Sequence, residues 1–194
     1  MQPFLILASA SPRRTSMLEQ IGIPHRQLPV DIDEAPHVGE SPQAQVTRLA
    51  VQKANEAFRC LDETQQSDAV VLAADTLIAF NGKSLGKPVD EADCRSMLKA
   101  LSGNEHEVLT AISVKSSGRQ ETQCLCTKVR FASLSEADIA AYWQTGEPAD
   151  KAGSYAIQGI GGQFVKSVEG SVSAVIGLPL YETKQLLKTF GVVS

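Results

Sequence analysis

Phe4-Leu5-Ile6-Leu7-Ala8 is a short unbroken apolar run, the pattern of a buried strand. It runs into Ser11-Pro12, which predicts a helix N-cap with proline at the first helical position. Met17, Leu18 and Ile21 then recur at helical spacing, and Gly22 ends the stripe. Residues 28–30 predict a second short strand, followed by the acidic stretch Asp31-Ile32-Asp33-Glu34. Ser41-Pro42 repeats the cap and opens a helix to about Cys60. Its inner face carries Val46, Leu49, Ala50, Ala54 and Ala57, with Lys53 falling among them by spacing.

Ala69-Val70-Val71-Leu72-Ala73-Ala74 predicts a central strand that runs into Asp75-Thr76. Asn81-Gly82 is a two-residue hairpin signal, so residues 76–80 are expected to pair with residues 83–87, setting Lys87 opposite Thr76. Asp90 caps a further helix, with Asp93 three residues on, ending near Ser102-Gly103. Residues 108–114 and 124–131 predict two antiparallel strands joined around Gly118. Ser135 and Asp138 make a capping box for a helix to about Gln144. Residues 150–162 are glycine-rich and read as irregular; residues 164–168 and 171–176 predict a last hairpin, and residues 179–190 a closing helix. Buried and hairpin strands mixed with helices predict an α/β fold around a mixed sheet. No repeat, low-complexity tract or linker-like break divides it, so a single domain over residues 1–194 is expected.

With 194 residues, 43% of them hydrophobic and 21% charged, the chain has enough apolar material for a packed core. Its net charge of −4 argues against broad nucleic-acid binding, which needs a basic surface to displace counterions. A small polyphosphate asks only for a few local cations. No apolar run approaches the roughly 20 residues that span a bilayer. The start has no basic segment followed by a signal-like apolar core, so neither membrane nor export is expected and a cytoplasmic address follows. Cys60, Cys94, Cys124 and Cys126 read as plain reduced thiols, since the Cys124-x-Cys126 pair has no second ligand pair or histidine at zinc spacing.

The candidate chemistry begins at the first helix. A helix start exposes unpaired N–H groups and partial positive charge, which suits an anion. Ser9, Ser11, Arg13 and Arg14 gather there, although arginine in a first turn opposes the helix dipole; an anionic partner accounts for them, as do arginines solvated or paired with acids elsewhere. No P-loop or dinucleotide glycine motif is present. Asp75, at the end of an apolar strand, is placed to hold a divalent cation or take a proton from water, or else to cap the local turn. Ideal pleating points Lys87 and Asp75 to opposite faces, and a bulge at Gly86 would bring them together. Lys53 either snorkels outward or faces the same polyphosphate site. Asp33 and Glu34 offer a metal-binding carboxylate or form a solvated acidic loop.

Taken in order, the segments Leu7-Ala8-Ser9-Ala10-Ser11-Pro12-Arg13-Arg14, Ala74-Asp75-Thr76, Gly86-Lys87-Pro88, Leu101-Ser102-Gly103, Asp150-Lys151-Ala152-Gly153-Ser154-Tyr155-Ala156-Ile157-Gln158-Gly159 and Gly177-Leu178-Pro179-Leu180 resemble the Maf family of nucleoside-triphosphate pyrophosphatases along nearly the whole chain. The resemblance implies an elongated α/β fold with a cleft, related to the inosine-triphosphate pyrophosphatases. It also implies hydrolysis of nucleoside triphosphates to monophosphate and pyrophosphate with a divalent cation, Mg2+ or Mn2+. On that resemblance Asp75 is the proton acceptor and a metal ligand, and Glu34 the further acid. Ser9, Arg13, Arg14, Lys53 and Lys87 resemble the residues lining the triphosphate site, and Ser11 joins them as an anion contact read from the helix start. Arg13, Thr76 and Gln158 resemble the branch acting on dTTP and UTP, where a sibling branch acting on 7-methyl-GTP has Trp, Gln and Glu. A glutamine amide offers the donor and acceptor that a uracil or thymine edge requires. Two alternatives stay open: a pyrophosphatase for 7-methyl-GTP or another modified nucleotide, and a non-catalytic regulator of septum formation. A homodimer is a family-level expectation.

Overall fold

Val46, Leu49, Ala50, Ala54 and Ala57 are all buried on one face of the second helix, as their spacing requires. Ala54 and Ala57 pack with the first and central strands, joining Ile6, Ala8, Leu61, Ala69, Val71 and Ala73 in one apolar cluster. The computed structural model describes residues 3–194. In chain order it contains strand β1 (Phe4–Leu7), helix α1 (Pro12–Gln20), β2 (Arg26–Gln27), α2 (Pro42–Arg59), α3 (Glu63–Asp68), β3 (Ala69–Phe80) and β4 (Lys83–Leu85). There follow α4 (Glu91–Leu101), β5 (Glu105–Lys115), β6 (Gln120–Phe131), α5 (Glu136–Gln144), β7 (Val165–Glu169), α6 (Val172–Ile176) and α7 (Leu180–Thr189). The seven strands form one mixed sheet in the order β2-β1-β3-β5-β6-β7, with β4 paired to β3. The α/β class and mixed sheet read from the sequence are those observed.

The chain clusters into two compact units. The first holds the residues up to Thr76, Thr110–Leu125 and Gly177–Ser194; the second holds Leu77–Leu109 and Cys126–Ile176. In the second unit, Phe131 meets the rings of His106 and Tyr155 edge-on, at 5.0 and 4.7 Å between centroids, and Tyr142 meets Phe164 likewise at 5.1 Å. Ile78, Leu98, Leu101, Val129 and Ile139 complete that core. Among the described residues, no helix is long and apolar enough to cross a membrane.

Three expectations change. The second strand is Arg26–Gln27, not residues 28–30: β1 stops at Leu7, so the parallel ladder ends at Leu7↔Gln27. One more bond, Leu28 N–H to the Leu7 carbonyl at 2.9 Å, follows before Pro29, which has no N–H to give. The last hairpin does not form. Val165–Glu169 is a strand, antiparallel to β6, but residues 172–176 are helical. Gly170 leaves the strand at φ +125°, Thr127 Oγ1 accepts the Ser171 N–H, and Ser171 Oγ accepts the Ala174 N–H at 3.2 Å, which starts a helical turn.

The third change concerns Asp75. The central strand does not end there: β3 runs twelve residues to Phe80. It pairs with β1 in parallel from Phe4↔Ala69 to Leu7↔Leu72, and with β4 antiparallel from Ile78↔Leu85 to Phe80↔Lys83. Asp75 therefore lies within the strand, in the stretch between its β1 and β4 ladders. The β4 ladder closes at Leu85, so Lys87 lies beyond the strand and not in a pair with Thr76.

Candidate active site

Ser11 takes the N-cap position of α1 with Pro12 at the first helical position, as expected, but its hydroxyl makes no capping bond. The serine that organises the turn is Ser9, buried at the end of the β1 segment, whose Oγ accepts the Ser11 N–H at 3.1 Å. The first turn of α1 has neither an N-cap side-chain bond nor an acidic residue to balance its dipole. Arg13 is partly exposed on that turn. Arg14 is drawn inward: Nε donates to the Gly177 carbonyl at 2.8 Å, Nη1 to Ser9 Oγ at 3.2 Å and Nη2 to Thr76 Oγ1 at 3.3 Å. Thr76 Oγ1 lies 3.1 Å from Thr110 Oγ1 on β5. Burial lowers the Arg14 pKa; the negative charge of Asp75 works against that shift and the neighbouring Arg13 adds to it.

Lys53 does not snorkel outward, and Asp75 does not cap a turn. Lys53 Nζ reaches from α2 to Asp75 Oδ1 at 2.7 Å and to Glu34 Oε1 at 2.6 Å. The Lys53 and Asp75 side chains are 13% and 11% exposed, while Glu34 is 60% exposed, so one carboxylate is embedded and the other open to solvent. Burial raises the Asp75 pKa, Lys53 and Arg14 pull it back, and Glu34 pushes it further up. Asp33 Oδ1 accepts the Ala35 N–H at 2.9 Å. The acidic loop is carried by α2: Gln45 Nε2 donates to the Glu34 carbonyl and Arg48 Nη2 to that of Ala35, with Arg48 itself paired to Glu40 at 2.7 Å.

Two carboxylates sharing one ammonium mark a place where positive charge is stabilised by hard oxygen donors, the donor type that Mg2+ and Mn2+ favour. Among the described residues, no group of three or more His, Cys, Asp or Glu comes together. The residues present thus fit an ion held by one or two carboxylates and completed by phosphate and water, as Mg2+ often is.

Lys87 and Gln158 belong to the second unit, and both are exposed. The Gly86 carbonyl next to Lys87 accepts the Gly153 N–H at 2.9 Å, which ties the Lys87 segment to the stretch leading to Gln158. Gln158 stands between two short 3-10 turns, Ala152–Ser154 and Ile160–Phe164, in the segment expected to be irregular.

Sequence reading missed Thr110, the Gly177 carbonyl and Gln27, whose Nε2 donates to the Ser9 carbonyl at 3.1 Å. Thr110 carries a legible signal, a hydroxyl within the apolar run Val108-Leu109-Thr110-Ala111-Ile112, where a buried polar group needs a partner. A backbone carbonyl such as that of Gly177 leaves no trace in side-chain patterns. Also missed were Tyr142 and Glu147, which bond to each other at 2.6 Å.

The profile of a family described as Maf-like protein matches residues 4–190. A dTTP/UTP pyrophosphatase of Colwellia psychrerythraea is 51% identical over 189 residues, covering 97% of this chain and 89% of its own length. One from Pseudoalteromonas atlantica is 50% identical over 183 residues, covering 94% and 95%. Among solved structures, the Ham1 protein of Staphylococcus aureus aligns with a TM-score of 0.46 at 15% identity, over 66% of this chain and 71% of its own.

Proposed function

From the premise that the chain belongs to the Maf-like protein family, we propose that it hydrolyses dTTP and UTP to the monophosphate and pyrophosphate. The observation that carries the chemistry is the convergence of Glu34 and Asp75 on Lys53 Nζ, in the same unit as the uncapped start of α1. The substrate class follows from the relatives named above and from the presence of Arg13, Thr76 and Gln158.

In this reading the α1 start, with Ser9, Ser11, Arg13 and Arg14, holds phosphate oxygens through N–H groups and cations, Lys53 adds charge, and Arg13 and Thr76 bear on the choice of base; in the second unit Lys87 is a further phosphate cation and Gln158 a base-reading amide. A water oxygen attacks the α-phosphorus as its proton passes to Asp75, and the bond from that phosphorus to the bridging oxygen breaks to release pyrophosphate. Burial suits Asp75 to this role, because a carboxylate whose pKa lies above the ordinary range is a stronger base. Lys53 draws that pKa back toward the ordinary range. A divalent cation held by Glu34 and Asp75 would neutralise the phosphate chain. Positioning and charge stabilisation supply most of the rate, since phosphoryl transfer asks little covalent chemistry of a protein.

The test is pyrophosphate release with Mg2+ or Mn2+ across dTTP, UTP, CTP, 7-methyl-GTP and ITP at equal concentration. The expected result is pyrophosphate, with dTTP and UTP turned over fastest. Preference for 7-methyl-GTP or ITP overturns the pyrimidine reading, and no release from any nucleotide favours a non-catalytic regulator.

A further inference from the structure

Gln158 lies in a glycine-rich segment with no regular ladder to fix it, yet a base-reading amide must be held in one orientation to discriminate. The structure supplies a fixing point. Glu147, just after α5, accepts the Ile160 N–H at Oε2 (2.8 Å) and the Gly161 N–H at Oε1 (2.9 Å). Its Oε1 also accepts the Tyr142 hydroxyl at 2.6 Å, and that hydroxyl oxygen accepts the Ala156 N–H at 3.3 Å. One carboxylate–phenol pair therefore grips the backbone two residues before Gln158 and two and three residues after it.

The fit around this pair is tight. A Cβ at Gly159 would stand 2.2 Å from Glu147 Oε2, and one at Gly161 would stand 2.5 Å from the Tyr142 hydroxyl. Both glycines are there because the loop lies directly on the pair. Tyr142 is itself fixed, buried in the core of the second unit and packed edge-on against Phe164. Burial works to raise the Glu147 pKa, but the Tyr142 hydroxyl and the N–H groups of Gly161 and Ile160 outweigh it and hold the acid below its ordinary value. The acceptor is thus ionised at neutral pH and makes charge-assisted bonds, the stronger kind.

We propose that Tyr142 and Glu147 are positioning residues for base selection: they set the orientation of Gln158 through the backbone on either side of it. This rests on the reading of Gln158 as the base-reading residue. The pair touches neither phosphate nor the reacting atoms in this reading, so its loss alters how the enzyme ranks bases and leaves the hydrolytic step alone.

Three variants test it: Glu147→Gln, whose amide can accept at only one of its two atoms, Tyr142→Phe, which deletes only a hydroxyl, and Gln158→Ala. kcat and KM are measured for dTTP and dCTP, which share sugar and triphosphate and differ only at the base. A general loss of folded enzyme lowers kcat for both nucleotides equally and leaves the ratio unmoved. The expected result is about a tenfold fall in the dTTP/dCTP ratio of kcat/KM for Gln158→Ala and Glu147→Gln, about 1.4 kcal/mol of discrimination. In Glu147→Gln that fall is carried by KM with kcat within about twofold, and Tyr142→Phe moves the same way by less. Restoration of the ratio by Glu147→Asp, which keeps both acceptor oxygens, supports the positioning role. A changed ratio in Gln158→Ala with an unchanged ratio in both Glu147→Gln and Tyr142→Phe overturns the positioning role alone. An unchanged ratio in Gln158→Ala overturns the base-reading role of Gln158, and the proposal with it.

Discussion

Lys53 Nζ lies 2.7 Å from Asp75 Oδ1, and little of either side chain reaches solvent. Burial raises the Asp75 pKa and Lys53 is the largest influence drawing it back, so the lysine tunes the acid as well as adding charge. Replacing it with Met removes that counterweight, and the Asp75 pKa rises further. Because the base must be deprotonated, the acid limb of the kcat/KM profile moves to higher pH in Lys53→Met. An acid limb in the same place as in the parent shows that Asp75 is not the titrating base.

Asp75→Asn keeps the shape of the side chain and removes the proton acceptor. Turnover of dTTP is expected to fall by about a thousandfold or more, within the range that general-base and electrostatic contributions reach together. Nucleotide binding is expected to persist, as measured by calorimetry. Parent-like turnover in this variant contradicts the assigned base.

Arg14 is bound to three protein groups, the Gly177 carbonyl, Ser9 Oγ and Thr76 Oγ1. A lysine has one nitrogen and cannot span them. Arg14→Lys is therefore expected to lose about 1–3 kcal/mol of folding stability as well as activity, because buried acceptors are left without donors. Urea unfolding measures the loss, and an unchanged midpoint assigns Arg14 to the ligand alone.

Gly153 has φ +63°, and an added Cβ would lie 2.6 Å from Ile78 Cδ1. Gly153→Ala thus meets both an unfavourable backbone conformation and an overpacked core, and about 1–3 kcal/mol of destabilisation is expected. Thermal denaturation reads this directly; stability within about 0.5 kcal/mol of the parent shows that the strand side chain yields easily.

His106 is buried, with Nε2 2.8 Å from the Tyr155 hydroxyl and Nδ1 without a protein partner. Burial pushes its pKa down to about 4, from 6.5 for an ordinary histidine. Between those values the unfolded chain binds a proton that the folded chain does not. Stability from this group is therefore complete above about pH 6.5 and is lost as pH falls toward 4, by up to about 3 kcal/mol. In His106→Gln the slope of unfolding free energy against pH over that window is expected to flatten. An unaltered slope assigns the acid sensitivity to other groups.

The sequence by itself determined helices α1, α2, α4, α5 and α7, because their signals are local; α3 and α6 it did not mark. The spacing of Val46, Leu49, Ala50, Ala54 and Ala57 fixed the inner face of α2, and Asp90, Ser135 and Asn81-Gly82 marked two caps and a turn, each from residues only a few positions apart. It also singled out Asp75 and Lys53 among its charged groups, and Glu34 with Asp33 as a candidate carboxylate. Only the tertiary structure decided that the three meet, since they lie on a loop, a helix and a strand far apart in the chain. The fate of residues 171–176 was likewise a tertiary matter: Thr127, from another strand, takes the Ser171 N–H and turns a strand-like apolar run into a helix. The fold likewise revealed that Tyr142 and Glu147 grip the backbone around Gln158, because N–H groups leave no mark in a pattern of side chains. Local propensity is written residue by residue, whereas partners brought together by folding are found only where the chain returns on itself.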